Sequence, residues 1–264
     1  MKRISRTFSV LFRLSPFVVA FLRDRRAWIL FGRPASRTDA HHQLRAERLT
    51  ARLAKLGPTF IKLSQLLSSR ADILPEPYLS QVSRLQDQVP PDPADEIRRV
   101  IESEVGAPIA EIFEEFEDEP MAAASLGQVH RARVNGREVV VKVLRPGVEA
   151  AIALDLDISF RLLFWLNIIF PTHHVRALTN VVREFSVGVR AEMDFRSEAQ
   201  NVARFHAVFS GDRRVRAPEV LEDFTHRRVL VMEYCPGTKV DSLHELFRSG
   251  RLSFRAVMES LTGV

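Results

Sequence analysis

Apolar residues along this 264-residue chain follow two different rhythms, and the change between them divides it. In the first third the spacing is helical. Leu44, Leu49, Leu53 and Leu56 recur at three- to five-residue intervals until Gly57-Pro58 breaks the run. A second helix is predicted from about Thr59, carrying Phe60, Ile61, Leu63, Leu66 and Leu67 and ending before Pro75. Prolines 75, 77, 90, 91 and 93 punctuate the next stretch, with a short helix over about 78–86 and another over 93–105. Residues 111–119 are strongly acidic, with Ile112, Phe113 and Phe116 as their apolar positions. After a loop of small residues, 122–129, the pattern predicts strands over 129–134 and 138–144. Asn135-Gly136 joins them, a dipeptide suited to a tight hairpin turn. Helices are predicted over 148–170 and 176–209, strands over 215–218, 219–223 and 228–234, a break at Pro236-Gly237, and helices over 243–247 and 254–261. No internal repeat is visible.

The net positive charge is concentrated in the amino-terminal segment. Residues 1–57 hold 13 Lys and Arg against three acids, whereas the whole chain is only +5. The apolar stretch from Phe8 to Leu22 is interrupted by Arg13 and Pro16, and Arg23, Arg25 and Arg26 follow it. It is too short to span a bilayer. Two readings remain: a helix lying in a membrane interface with basic flanks, and a helix packed on the protein's own core. The second greasy run, 158–170, is expected to be buried inside the fold. Cys235 is the only cysteine, so no disulfide forms within the chain and no cysteine-based zinc site exists. No nucleic-acid-binding module accompanies the basic residues, so nucleic acid is not expected as a partner.

Candidate chemistry begins at the hairpin. Lys142 sits in Val139-Val140-Val141-Lys142-Val143, and an ammonium in a β-branched strand needs an acceptor. In a protein kinase such a lysine meets nucleotide phosphates and pairs with a glutamate. The small-residue loop before it lets backbone approach phosphates. Downstream, Glu192, Asp194 and Glu198 fall on one predicted helix, with Asp194 and Glu198 four apart on one face. They are candidates to partner Lys142. Glu233-Tyr234-Cys235 ends an apolar strand, as a kinase hinge does. Each feature alone also fits an ordinary core strand or a solvated helix face.

Four blocks in order change that balance. Lys62-Leu63-Ser64-Gln65, with Arg70-Ala71-Asp72-Ile73-Leu74-Pro75 after it, resembles the KxGQ element of the ABC1/UbiB (AarF/ADCK) family. Ala122-Ala123-Ala124-Ser125-Leu126-Gly127-Gln128 resembles its alanine-rich loop, Val141-Lys142-Val143-Leu144-Arg145-Pro146-Gly147 its strand lysine, and Glu192-Met193-Asp194 its ExD motif. Ser64 departs from the family's glycine, and its small size still permits close helix packing.

The resemblance implies an α+β fold: a protein-kinase-like N-lobe, antiparallel sheet plus helices, with an amino-terminal helical extension and a truncated C-lobe. Residues 1–35 are expected to be a membrane-proximal segment, 36–108 the KxGQ-type extension, 109–236 the N-lobe and 237–264 the start of an incomplete C-lobe. It implies Lys142 and Glu198 as the catalytic pair. Ala122, Ala123, Ala124, Ser125, Gln128, Lys142, Glu233 and Cys235 are implied to bind ATP or ADP. Lys62, Gln65, Glu192 and Asp194 are implied to regulate access. The His-x-Asp-Pro-His-x-Gly-Asn and Asp-Phe-Gly blocks do not occur in the chain, and Asp241, His244 and Glu245 do not fit their spacing. Magnesium is therefore expected in the complete protein with ligands outside this chain, and the chain alone is expected to be inactive. The implied function is a UbiB-type ATPase or atypical kinase supporting ubiquinone or related isoprenoid lipid biosynthesis. Its implied location is the periphery of the cytoplasmic face of a bacterial membrane, with ubiquinone-biosynthesis proteins and the lipid surface as partners. The alternatives are a non-catalytic nucleotide- or lipid-binding pseudokinase piece and a membrane-surface scaffold.

Overall fold

The structure, a computed structural model, describes residues 2–24, 38–71, 73–85, 89–212, 214–238, 243–250 and 253–262. In chain order the elements are α1 (Lys2–Asp24), α2 (Asp39–Leu56), α3 (Pro58–Leu67), α4 (Tyr78–Val82), α5 (Ala94–Val105) and α6 (Ile109–Ile112). Strands β1 (Glu115–Phe116), β2 (Ala122–Ala123), β3 (Gly127–Val134) and β4 (Arg137–Leu144) follow. Then come α7 (Val148–Ile169), α8 (His173–Glu192), α9 (Phe195–Phe209), β5 (Val229–Glu233), α10 (Leu243–Arg248) and α11 (Phe254–Thr262).

The chain forms two compact units, each assembled from three separate stretches of sequence. The first comprises Met1–Ile97, Met121–Gln128 and Leu144–Met193. It is helical. Gly57 adopts φ 93°, a conformation a side chain disfavours, and Pro58 opens α3 at its first turn. That corner folds α3 back on α2. Val10, Leu53, Leu56, Phe60, Val82 and Ile158 form one buried cluster from α1, α2, α3, α4 and α7. Helix α1 is thus packed on the protein's own core through Val10, yet Phe8 and Phe12 on the same helix are exposed. Asp155, 1% exposed on α7, receives a two-pronged bond from Arg6 at 2.7 Å on each oxygen, and Arg6 also donates to the Leu56 carbonyl. The carboxylate holds the Arg6 guanidinium above its ordinary pKa.

The run 158–170 differs from its expected burial. Ile158 and Leu163 are inside, but Phe164, Trp165, Ile168 and Ile169 are each more than half exposed. Helices α3 and α4 also stop sooner than the apolar pattern suggested, at Leu67 and Val82.

The second unit comprises Arg98–Pro120, Val129–Val143 and Asp194–Val264. Its sheet runs β1-β3-β4-β5, with β1 antiparallel to β3 and β4 antiparallel to β5. Asn135 and Gly136 both take positive φ, 51° and 71°, the backbone of a two-residue hairpin turn joining β3 to β4. Val139, Val141 and Val143 on β4, with Val229 and Val231 opposite them on β5, are buried on one face. Among the described residues of 215–234, β5 is the one strand that forms. Val220 makes an isolated bridge to Met232, and residues 222–224 form a single 3-10 turn. The predicted strands 215–218 and 219–223 do not form as ladders: residues 219–221 meet β5 through two backbone hydrogen bonds and the one bridge, and the chain then turns at 222–224.

The predicted helix 176–209 is two helices. Helix α8 ends at Glu192, and Asp194 is the N-cap of α9, accepting a hydrogen bond from the Arg196 amide. An aspartate in extended conformation at that position starts a helix by satisfying an orphan amide. Glu192 and Asp194 therefore share no helix face with Glu198.

Candidate nucleotide-binding site

In the sheet unit, β4 lies between β3 and β5, and alternation sends Lys142 to the face opposite the buried valines. Its partner across the ladder is Leu230. Lys142 Nζ donates to both Glu198 oxygens, at 2.8 and 2.7 Å, and lies 4.9 Å from the Phe195 ring centroid. Phe195, 1% exposed, anchors the first turn of α9, and its amide donates to the Arg227 carbonyl at 2.9 Å. Glu198 stands one turn further on, which brings its carboxylate to the lysine. Both charged groups are about a third exposed, so the pair itself contributes at most about 1 kcal/mol. Its structural effect is to hold an ammonium at a fixed height above the sheet.

At the end of β5 the backbone amides of Glu233 and Tyr234 are used by the carbonyls of Glu219 and Glu138, at 2.8 and 3.1 Å. The Glu233 side chain is bound by Arg216, which keeps its carboxyl below the usual range. Cys235 follows, half-buried. Asp194 pairs with Arg196 on its own turn, and that guanidinium lowers the Asp194 carboxyl below the ordinary range.

In the helical unit the alanine-rich loop has its own scaffold. Ala122 and Ala124 are exposed and Ala123 half-buried, whereas Ser125 and Gln128 are buried. The Ala124 amide donates to the Gly127 carbonyl at 2.8 Å, closing the loop. The Gln128 side chain faces Asp92. Its side-chain carbonyl accepts from the Asp92 amide at 3.0 Å and its NH2 reaches the Asp92 carbonyl at 3.4 Å, so it braces the loop from within. Sequence reasoning gave no role to Arg145. It is 5% exposed and donates to the Ala124 carbonyl at 2.8 Å, the Asp92 carboxylate at 2.6 Å and the Val89 and Pro90 carbonyls at 3.3 and 3.0 Å. Its amide donates to the Leu126 carbonyl at 2.9 Å. One side chain thus ties the loop to the proline-rich linker. An arginine directly after buried Leu144 was the signal to follow, since a guanidinium there needs several acceptors.

Elsewhere in the helical unit, Lys62 Nζ is 2.9 Å from Glu192. Gln65 lies three residues on from Lys62 along α3, half-buried. Ser64, 1% exposed, donates to the Phe60 carbonyl at 2.6 Å and satisfies its hydroxyl within its own helix. Asp72 and Asp241 lie outside the described residues, as do the side chains of His244 and Glu245. Among the described residues no three His, Cys, Asp or Glu side chains cluster as metal ligands.

Residues 84–262 match the model of the ABC1 atypical kinase-like domain. The chain belongs to the ABC1 family. An aarF domain-containing protein kinase of Arabidopsis thaliana chloroplasts is 40% identical over 214 residues, covering 80% of this chain and 30% of the relative. A probable protein kinase UbiB of Marinobacter nauticus is 37% identical over 207 residues, covering 78% and 38%. The chain thus spans 30% and 38% of these curated relatives' length. Among solved structures, Rv3197 of Mycobacterium tuberculosis, in complex with erythromycin, aligns over 80% of this chain and 52% of its own, with 29% identity and TM-score 0.49. The α+β architecture of antiparallel sheet and helices is that of a kinase-like N-lobe with a helical extension. No helix among the described residues is long and apolar enough to cross a membrane.

Proposed function

We propose that this ABC1-family chain is the nucleotide-binding portion of a UbiB-type atypical kinase or ATPase. The observation that carries the reading is the Lys142–Glu198 pair, which sets an ammonium with both carboxylate oxygens engaged beside a partly open sheet face. An ammonium so held offers a point charge to a triphosphate without a large rearrangement. The adenine edge meets the Glu233 carbonyl and the Cys235 amide, since the Glu233 and Tyr234 amides are engaged inside the fold. The exposed backbone of Ala122–Ala124 is assigned to the phosphates, with Arg145 fixing that loop. Lys62 and Glu192 serve to restrict access, and Gln65 and Asp194 act with them. Whole-protein activity is assigned to ATP hydrolysis or phosphoryl transfer supporting ubiquinone or related isoprenoid lipid synthesis, at the cytoplasmic face of a bacterial membrane.

The test is equilibrium titration of the chain with ATP, ADP and GTP. Saturable adenine-nucleotide binding that Lys142→Ala weakens supports the reading, and the absence of nucleotide binding to the folded chain refutes it. Turnover by the full-length protein then separates an enzyme from a non-catalytic binding piece.

A further inference from the structure

The helical unit holds a cavity of about 260 Å3. Val18 of α1, Leu53 of α2, Leu163 and Leu166 of α7, and Val175 and Leu178 of α8 wall it, and among the described lining residues His174 alone is polar. The pocket opens to solvent, and most of its lining residues are half-buried. One water needs only about 10–15 Å3 of such space, so there is room for a much larger guest. A slot with so few hydrogen-bonding partners holds water poorly and favours apolar guests. Its wall therefore states the chemistry of its occupant, a hydrocarbon.

The same helices say where that hydrocarbon comes from. Helix α1 contributes Phe17 and Val18 to the wall while exposing Phe8 and Phe12. Helix α7 contributes Leu163 and Leu166 while exposing Phe164 and Trp165. Exposed rings in such numbers mark an interaction surface, and tryptophan favours the level of lipid headgroups. The sequence around α1 is strongly basic, and the Arg52 guanidinium lies 5.2 Å from the centre of Phe17, itself a wall residue. A cation beside an apolar slot matches an anionic headgroup above an acyl tail.

We propose that this cavity takes an acyl chain of an anionic phospholipid, drawn from a bilayer on which α1 and α7 rest. The site lies wholly within the helical unit and stands whether or not the chain binds nucleotide.

The experiment uses the full chain and phosphatidylglycerol carrying a fluorescent acyl tail, read by polarisation, with unlabelled phosphatidylglycerol and a polyprenyl alcohol as competitors. Val18→Trp and Leu178→Trp fill the cavity, and Phe12→Ser alters only the outer face. The expected result is saturable one-to-one binding, displaced by phosphatidylglycerol and weakened about tenfold or more by either filling variant, with melting temperatures kept or raised. Unsaturable binding, filled variants that bind as the parent does, or displacement by the polyprenyl alcohol alone overturns the proposal. Should both filled variants fail to fold, saturation and the competition on the unmodified chain decide it. Nucleotide titration of the same samples keeps failure here distinct from failure of the nucleotide reading.

Discussion

Lys142 Nζ is held by both oxygens of Glu198, at 2.8 and 2.7 Å, while the ring of Phe195, three residues before Glu198, lies 4.9 Å beneath it. One turn of α9 thus supplies both the counter-charge and the floor for the strand lysine. Removing the ammonium deletes charge-assisted bonds worth about 1.5–3 kcal/mol to a bound phosphate. Lys142→Ala is therefore expected to weaken ATP binding about 10- to 100-fold, with little change in melting temperature because the pair is partly solvated. Glu198→Gln should weaken binding less, since the ammonium remains and only its position relaxes. Isothermal titration beside thermal melts checks both.

Arg145 is expected to matter more for stability than Lys142. It is nearly buried and serves the Ala124, Val89 and Pro90 carbonyls and the Asp92 carboxylate. Arg145→Met leaves those acceptors without their donor and should cost about 2–4 kcal/mol. Chemical denaturation measures that cost, and faster proteolysis within 89–92 and 122–128 should accompany it.

Arg6 and Asp155 make a second buried tie. Asp155→Ala leaves Arg6 without its carboxylate and is expected to destabilise the chain by about 3–5 kcal/mol. The double variant Arg6→Met with Asp155→Leu should recover most of that loss, because a pair of apolar side chains leaves no charge uncompensated. A double-mutant cycle in urea provides the comparison.

His130 predicts a pH dependence. It is fully buried and stacked on Phe116, with ring centroids 5.1 Å apart, and its Nδ1 bonds the Glu117 carbonyl at 2.9 Å. Among the described residues its Nε2 has no protein partner. Burial lowers its pKa below the ordinary 6.5. The unfolded chain therefore takes up a proton that the folded chain refuses. The resulting stability is fully present above the unfolded value and is lost as pH falls toward the folded one, with a slope of at most about 1.4 kcal/mol per pH unit. His130→Phe is expected to flatten the stability profile below neutral pH, which denaturation at a series of pH values measures.

The sequence revealed the hairpin, because Asn135-Gly136 carries its own turn signal, and it revealed Lys142, because a lysine among valines contradicts its surroundings. It concealed the break at Met193-Asp194. Apolar periodicity runs through that point, and an aspartate reads equally as a surface residue and as an N-cap. The strands expected over 215–223 shrink to a single bridge, because the chain turns at 222–224 after only two backbone hydrogen bonds to β5. For Arg145 the sequence signals only the need for acceptors and not their identity, because they come from 89–92 and 124, remote in sequence. The cavity was illegible for a similar reason. Leu163 and Leu166 look like core residues, and only the assembled helices leave space between them.

Whether Lys142 meets the phosphates of an adenine nucleotide can be read from lysine labelling and mass spectrometry. The chain has five lysines, Lys2, Lys55, Lys62, Lys142 and Lys239, so each site can be followed separately. An amine-reactive reagent is applied with and without saturating ATP. Selective protection of Lys142 by ATP, with Lys55 unaffected, is expected if the ammonium meets the phosphates. Equal labelling of Lys142 with and without bound ATP contradicts that role.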